Sequence, residues 1–199
     1  MKRKLPDYDL SDRQLEKELQ RTIRKKQRWI ALRNTFLSLL VIAALCVLAG
    51  GLWFPLYRVT GKSMEPYLEE GQVVAALKTN ELERGDVTVF YHDNQILIKR
   101  VIGVAGDRIS VNAQGKVSVN GEFLEEKYVT HTVLGLNDLT YPYQVPENCY
   151  FVMGDHREVS IDSRMSSVGC INKEMIAGKI IFRIWPIQQV GYIGWREGV

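Results

Sequence analysis

Two residues of this chain could together do chemistry. Ser63 lies in the turn-forming run Gly61-Lys62-Ser63-Met64-Glu65-Pro66, and Lys99 lies in the strand-like run Gln95–Val104. A serine hydroxyl becomes a nucleophile when a neighbouring base takes its proton, and a neutral lysine amine is one such base. Side chains alternate along a strand, so Leu97, Lys99 and Val101 share one face and Ile98, Arg100 and Ile102 the other. Each face is apolar except for one cation. An arginine keeps its charge there by snorkelling or by pairing with a carboxylate, whereas burial disfavours the ammonium form of a lysine. An ordinary lysine, with a pKa of about 10.4, is neutral in about one molecule in a few thousand at pH 7. Bringing it near the working pH takes roughly 4 kcal/mol of bias, which full burial among apolar groups can supply. The plainer alternative is a turn hydroxyl and a lysine whose head escapes at the sheet edge.

A third cluster, Met153–Arg164, reads MGDHREVSIDSR. Asp155, Arg157, Asp162 and Arg164 offer opposite charges for a fixed supporting loop, and Ser160 offers a hydroxyl that could orient the Lys99 amine. A histidine-based triad would need His92, His131 or His156 beside Ser63. His92-Asp93 is the tempting pair, but adjacent strand residues face opposite ways and the pair reads as a turn. Three scattered histidines, without Cys-x-x-Cys or His-x-x-x-His spacing, form no metal-ligand cluster, and a hydroxyl and an amine need no cofactor. Cys149 and Cys170 could pair in an oxidising compartment, although unpaired core thiols are the plainer expectation.

The elements that must position these groups follow from patterning. Short β-like runs at Gln72–Leu77, Asp86–Tyr91, Gln95–Val104, Arg108–Val111, Lys116–Val119, Cys149–Met153 and Lys179–Trp185 are separated by turn signals such as Gly85-Asp86, Asp93-Asn94 and Asn120-Gly121. They predict a mainly antiparallel β domain over 58–199, with a more polar β subdomain inserted at about 110–146. Before it, Thr35–Tyr57 contains no charged residue over 23 positions. As a helix it would measure about 34 Å, against a hydrocarbon core of about 30 Å. Trp53, Phe54 and Tyr57 sit at its far end, where aromatic rings favour the membrane interface.

Residues 1–33 carry eleven cations and five anions, on a chain whose net charge is only +3. That arm predicts a surface helix from Leu10 to Ile30, capped by Ser11 or Asp12. A basic arm followed by an apolar span favours a membrane over nucleic acid and places 1–33 in the cytoplasm, 34–57 across the bilayer and 58–199 outside. A cleavable leader, cut after Ala49, would have a shorter apolar region and a shorter basic start.

Taken in order, Ser63-Met64-Glu65-Pro66, Gly85-Asp86-Val87, Lys99-Arg100-Val101-Ile102-Gly103 with Gly106-Asp107, and Gly154-Asp155 through Ser163-Arg164 resemble the successive boxes of bacterial type I signal peptidases. They follow the amino-terminal anchor of that family, here single as in the Gram-positive type. The resemblance implies a membrane-bound serine endopeptidase that removes signal peptides from exported preproteins with small residues at positions −1 and −3. It implies Ser63 as nucleophile, Lys99 as general base and Ser160 as the group that positions Lys99. The Ser63 N–H would hold the oxyanion, and Asp155, Arg157, Asp162 and Arg164 would support the site. Met64, Pro66, Tyr67 and Leu68 are expected against the bilayer.

Three positions depart from the family pattern. Tyr67 stands where threonine is usual and His156 where asparagine is usual. Gly61 stands where some members carry an oxyanion-binding hydroxyl. Self-cleaving Ser–Lys repressors resemble the same catalytic core, but they carry a DNA-reading domain in place of a spanning helix. A non-catalytic membrane relative that assembles surface fibres would be marked by loss of Ser63 or Lys99, and both are present.

Overall fold

The structure, a computed structural model, describes residues 12–194. Most of the basic start of the arm, with Ser11 as a possible cap, lies outside them. One continuous helix, α1 (Asp12–Trp53), replaces the two helices expected. Within it Leu19–Leu45 contains an 18-residue window with a mean hydropathy of 1.4, so the segment is long and apolar enough to cross a membrane. Its apolar side chains, Trp29, Leu32 and Leu45 among them, are uncovered by protein. Its few hydroxyls are satisfied locally: Thr35 Oγ1 donates to the Ala31 carbonyl at 2.9 Å and Ser38 Oγ to that of Thr35 at 2.8 Å.

The helix stops short of the expected Tyr57. Pro55 cannot donate to a helical ladder and disfavours helical backbone at Phe54, so the chain turns extended. The strands then run β1 (Leu56–Arg58), β2 (Val73–Leu77), β3 (Val87–His92), β4 (Gln95–Gly103), β5 (Arg108–Val111), β6 (Val117–Val119), β7 (Glu122–Phe123), β8 (Tyr143–Gln144), β9 (Cys149–Met153), β10 (Ile171–Asn172), β11 (Ile176–Trp185) and β12 (Gly191–Tyr192). Tyr57, expected in the membrane, instead packs on the β-domain core. The very short strands β1, β7, β8, β10 and β12 were not expected, because two or three residues carry no periodicity.

All pairings are antiparallel. The main sheet has the order β1-β2-β11-β3-β4-β9-β10, with β12 on the far part of β11. Between β4 and β9 the chain builds a second sheet, β7-β6-β5-β8, over the polar insert. Two hairpins turn at the expected pairs. Asp93 and Asn94 have φ of 44° and 61°, and Asn120 and Gly121 have 55° and 92°, the left-handed backbone that two-residue hairpin turns require.

Three apolar clusters hold the domain. Met64 and Leu68, just after Ser63, enter the first with Val74, Val89 and Ile180. Ile102, Ile109 and Phe151 join the two sheets. Phe90, Val101 and Val152 pack on the other face of β3, β4 and β9. Cys149 and Cys170 are free thiols. Burial, together with the neighbouring Cys170, pushes the Cys149 thiol up to about 11.

Candidate active site

Ser63 follows the left-handed Gly61, with φ of 78°, and opens a single helical turn in which Leu68 N donates to the Met64 carbonyl at 2.8 Å. Because Met64 and Leu68 are buried in the core, that turn is fixed from below. Both were expected against the bilayer. The core claims them instead, and of those four residues only Pro66 is exposed.

Lys99 comes from the middle of β4, paired across to Thr88. Its side chain is only 3% exposed, and its Nζ lies 2.6 Å from Ser63 Oγ. Desolvation pushes the amine down from 10.5 to about 8, against the opposing pull of Asp162 and Asp155. At pH 7 about a tenth of such amines are neutral, several hundred times the share of an exposed lysine. The arrangement joins a buried, partly neutral amine to a hydroxyl within proton-transfer distance.

Arg100 points to the opposite face, as strand alternation requires, and is fully buried. Its guanidinium makes two bonds to Asp155, at 2.8 and 2.6 Å, and one to the Gly85 carbonyl at 2.9 Å. The rings of Tyr67 and Tyr128 cover it, at 4.5 and 4.0 Å from their centroids. Burial works against the charge, but the Asp155 bonds outweigh it and hold Arg100 above its ordinary pKa.

The 154–164 loop is tied on every side. Asp162 accepts from Gly154 N at 2.9 Å and pairs twice with Arg164, both bonds at 2.8 Å. Arg164 reaches the Leu134 carbonyl at 2.6 Å and that of Arg157 at 3.0 Å. Arg157 donates to the Gly154 carbonyl at 3.0 Å and pairs with Glu126. The four charges expected to pair among themselves therefore divide differently. Asp162 and Arg164 do pair, whereas Asp155 and Arg157 find Arg100 and Glu126. Arg100 announced its need for a carboxylate by sitting on an apolar strand face. Glu126, in a polar insert, and the ring of Tyr128 gave no such sign.

This loop reaches the nucleophile directly. His156 N donates to the Ser63 carbonyl at 3.1 Å, and its Nδ1 lies 3.2 Å from the Lys62 carbonyl. Ser163, which the sequence did not single out, ties β9 to the loop through a bond from Val152 N to its Oγ at 3.0 Å. Ser160 is fully buried, but its Oγ has no hydrogen-bond partner, so the bond expected from it to Lys99 is not formed. Burial places the hydroxyl there without completing its bonding.

Gly154 lies between these groups. A Cβ added to it would stand 2.2 Å from Ser160 Oγ and 2.5 Å from the Ser63 carbonyl oxygen. Gly154→Ala must therefore displace the Ser63 backbone. We expect kcat/KM to fall by about a hundredfold, as displacements near 1 Å do, while far-ultraviolet circular dichroism is unchanged.

Comparison with known proteins identifies the family. The family model described as signal peptidase, peptidase S26, matches residues 32–185. The chain is 36% identical over 156 residues to signal peptidase IB of Staphylococcus aureus, covering 68% of this chain and 80% of that protein. It is 30% identical over 164 residues to signal peptidase I of Bacillus amyloliquefaciens, covering 77% and 88%. A crystal structure of a signal peptidase I from Enterococcus faecalis is similar at 26% identity and a TM-score of 0.42, over 51% of this chain and 97% of that one. With the match spanning most of its length and both relatives named as signal peptidases, the chain belongs to the signal peptidase family, peptidase S26.

Proposed function

We propose that this serine endopeptidase removes amino-terminal signal peptides from exported preproteins, with Ser63 as nucleophile and Lys99 as general base. The observation that carries the proposal is the 2.6 Å contact between the buried Lys99 amine and the Ser63 hydroxyl.

Lys99 takes the hydroxyl proton as Ser63 Oγ attacks the scissile carbonyl. Ser63 N donates no hydrogen bond among the described residues, so it is free to hold the oxyanion, where one preorganised donor contributes roughly 3 kcal/mol. The protonated Lys99 then gives its proton to the leaving nitrogen. A water deprotonated by the same amine hydrolyses the ester and releases the signal peptide. In this reading the Ser160 hydroxyl, buried and without a partner, accepts from the ammonium while it carries the extra proton. Arg100, Asp155, Arg157, Asp162 and Arg164 keep the loop and β4 in register.

An extended substrate has somewhere to bind. β1 pairs only with β2, and β4 pairs with β9 only from Arg100 onward, so Leu56–Arg58 and Gln95–Ile98 each keep one strand edge unpaired among the described residues. A groove runs between these segments and ends at Ser63 and Lys99. A strand added there hydrogen-bonds through its backbone and turns positions −1 and −3 to the same side. The apolar part of α1 anchors the enzyme in the bilayer, with the basic arm in the cytoplasm and residues 58–199 outside, where such substrates emerge.

A non-catalytic assembly role is disfavoured, since both reacting groups are present and touch. Incubating the purified protein with a preprotein tests the proposal. Cleavage at one bond, lost in Ser63→Ala, is expected. Cleavage that persists in Ser63→Ala would refute it.

A further inference from the structure

A second groove opens from the same dyad, on the face of β4 that carries Lys99. Near the dyad its walls are apolar: Leu97, Val159, Ile161 and Val168, of which Val159 and Ile161 are 50% and 56% exposed. At its far end stand His92 and Asp93, from the tip of the β3–β4 hairpin. The Asp93 carboxylate is 87% exposed and lies 3.4 Å from His92 Nε2. His92 is largely buried, and its Nδ1 has no hydrogen-bond partner among the described residues.

Resting on the proposed mechanism, the chemistry distinguishes the two grooves. The proton that Lys99 removes from Ser63 must be returned to the leaving nitrogen, which therefore lies within reach of Nζ. Both grooves reach Ser63 and Lys99, and with the residues before the cut bond in the first, the chain beyond that nitrogen leaves by the second. We infer that this second groove holds the residues that follow the cut bond, and that His92 and Asp93 read the polar character and charge of that segment. From Lys99 back to Gln95, the cross-strand partner of His92, β4 covers four residues, about 13 Å. Roughly four extended residues of the mature segment span the same length. The exposed Val159 and Ile161 gain an apolar covering, and Asp93, standing beside His92 Nε2, favours a basic residue there over an acidic one. The left-handed turn at Asp93 and Asn94 holds both recognition groups in place before binding.

Precursors that are identical through the cut bond, with Lys or Glu at the third, fourth or fifth residue after it, test this. At one of these positions the wild-type enzyme is expected to prefer Lys by about threefold in kcat/KM, carried by KM, as an exposed charge pair allows. Asp93→Lys should reverse that preference. In His92→Ala, the advantage of a precursor with five residues after the bond over one with a single residue should shrink, an effect that general damage to the hairpin would not produce. Equal Lys-to-Glu ratios in wild type and Asp93→Lys at all three positions would overturn the inference, as would an unchanged long-to-short ratio in His92→Ala. Cleavage surviving in Ser63→Ala would instead remove the mechanism beneath it.

Discussion

Lys99→Met is expected to lower kcat/KM by a thousandfold or more, roughly the full contribution of a general base, and yet to make the protein more stable at pH 7. The amine is buried and pushed down from 10.5 to about 8 by desolvation. At about 1.4 kcal/mol per pH unit, its charged form costs the folded state about 3 kcal/mol. Methionine has similar length and no charge, so it removes that cost while losing the bond to Ser63, worth about 1 kcal/mol. A net gain of about 2 kcal/mol should appear in urea unfolding at pH 7. The sign follows from proton counting. Between pH 8 and 10.5 the unfolded chain still holds a proton that the folded chain has released, so wild-type stability rises with pH through that window. The advantage of Lys99→Met should shrink over the same window. A variant that is less stable at pH 7 would mean that the amine carries no desolvation cost.

Arg100→Met is expected to destabilise the domain by about 3–5 kcal/mol, because it strands the Asp155 carboxylate in a site where both partners are fully buried. For a small domain this is a large part of the total stability. The sandwich of Tyr67 and Tyr128 loses its cation as well, worth up to about 2 kcal/mol for a desolvated contact. Arg100→Met combined with Asp155→Leu should recover several kcal/mol of this loss, since no charge is then left unpaired. The double variant should still lose activity, because the chain from Asp155 through His156 N to the Ser63 carbonyl is loosened. Strict additivity of the two substitutions in denaturant unfolding would show that the pair is not coupled.

The contact between Ser63 and Lys99, the proposed catalytic pair, was legible in the sequence because one physical rule exposed it. A cation on each apolar face of a single strand is costly, and the two faces solve the problem differently. Arg100 remains charged with a carboxylate, and Lys99 loses charge toward a hydroxyl. The strands from Val73 to Val119 and the two asparagine-containing hairpins were legible through period-two patterning and turn chemistry. What escaped was what depends on distant segments. Glu126 and Tyr128 come from the insert and reach the site only through the fold, so no local pattern marks them. Tyr67 showed only as a departure from the family pattern. In the structure its ring lies over Arg100. The helix ends at Trp53, short of Tyr57, because Tyr57 is as suited to a β-core as to a membrane interface and Pro55 decides between them.

The central claim is that the Lys99 amine works because burial brings its pKa down to about 8, close to neutral pH. The most direct test is kcat/KM against pH on one preprotein. A tenfold rise per pH unit that levels off near pH 8 is predicted. A limb that levels off only near pH 10, where an exposed lysine titrates, would contradict it.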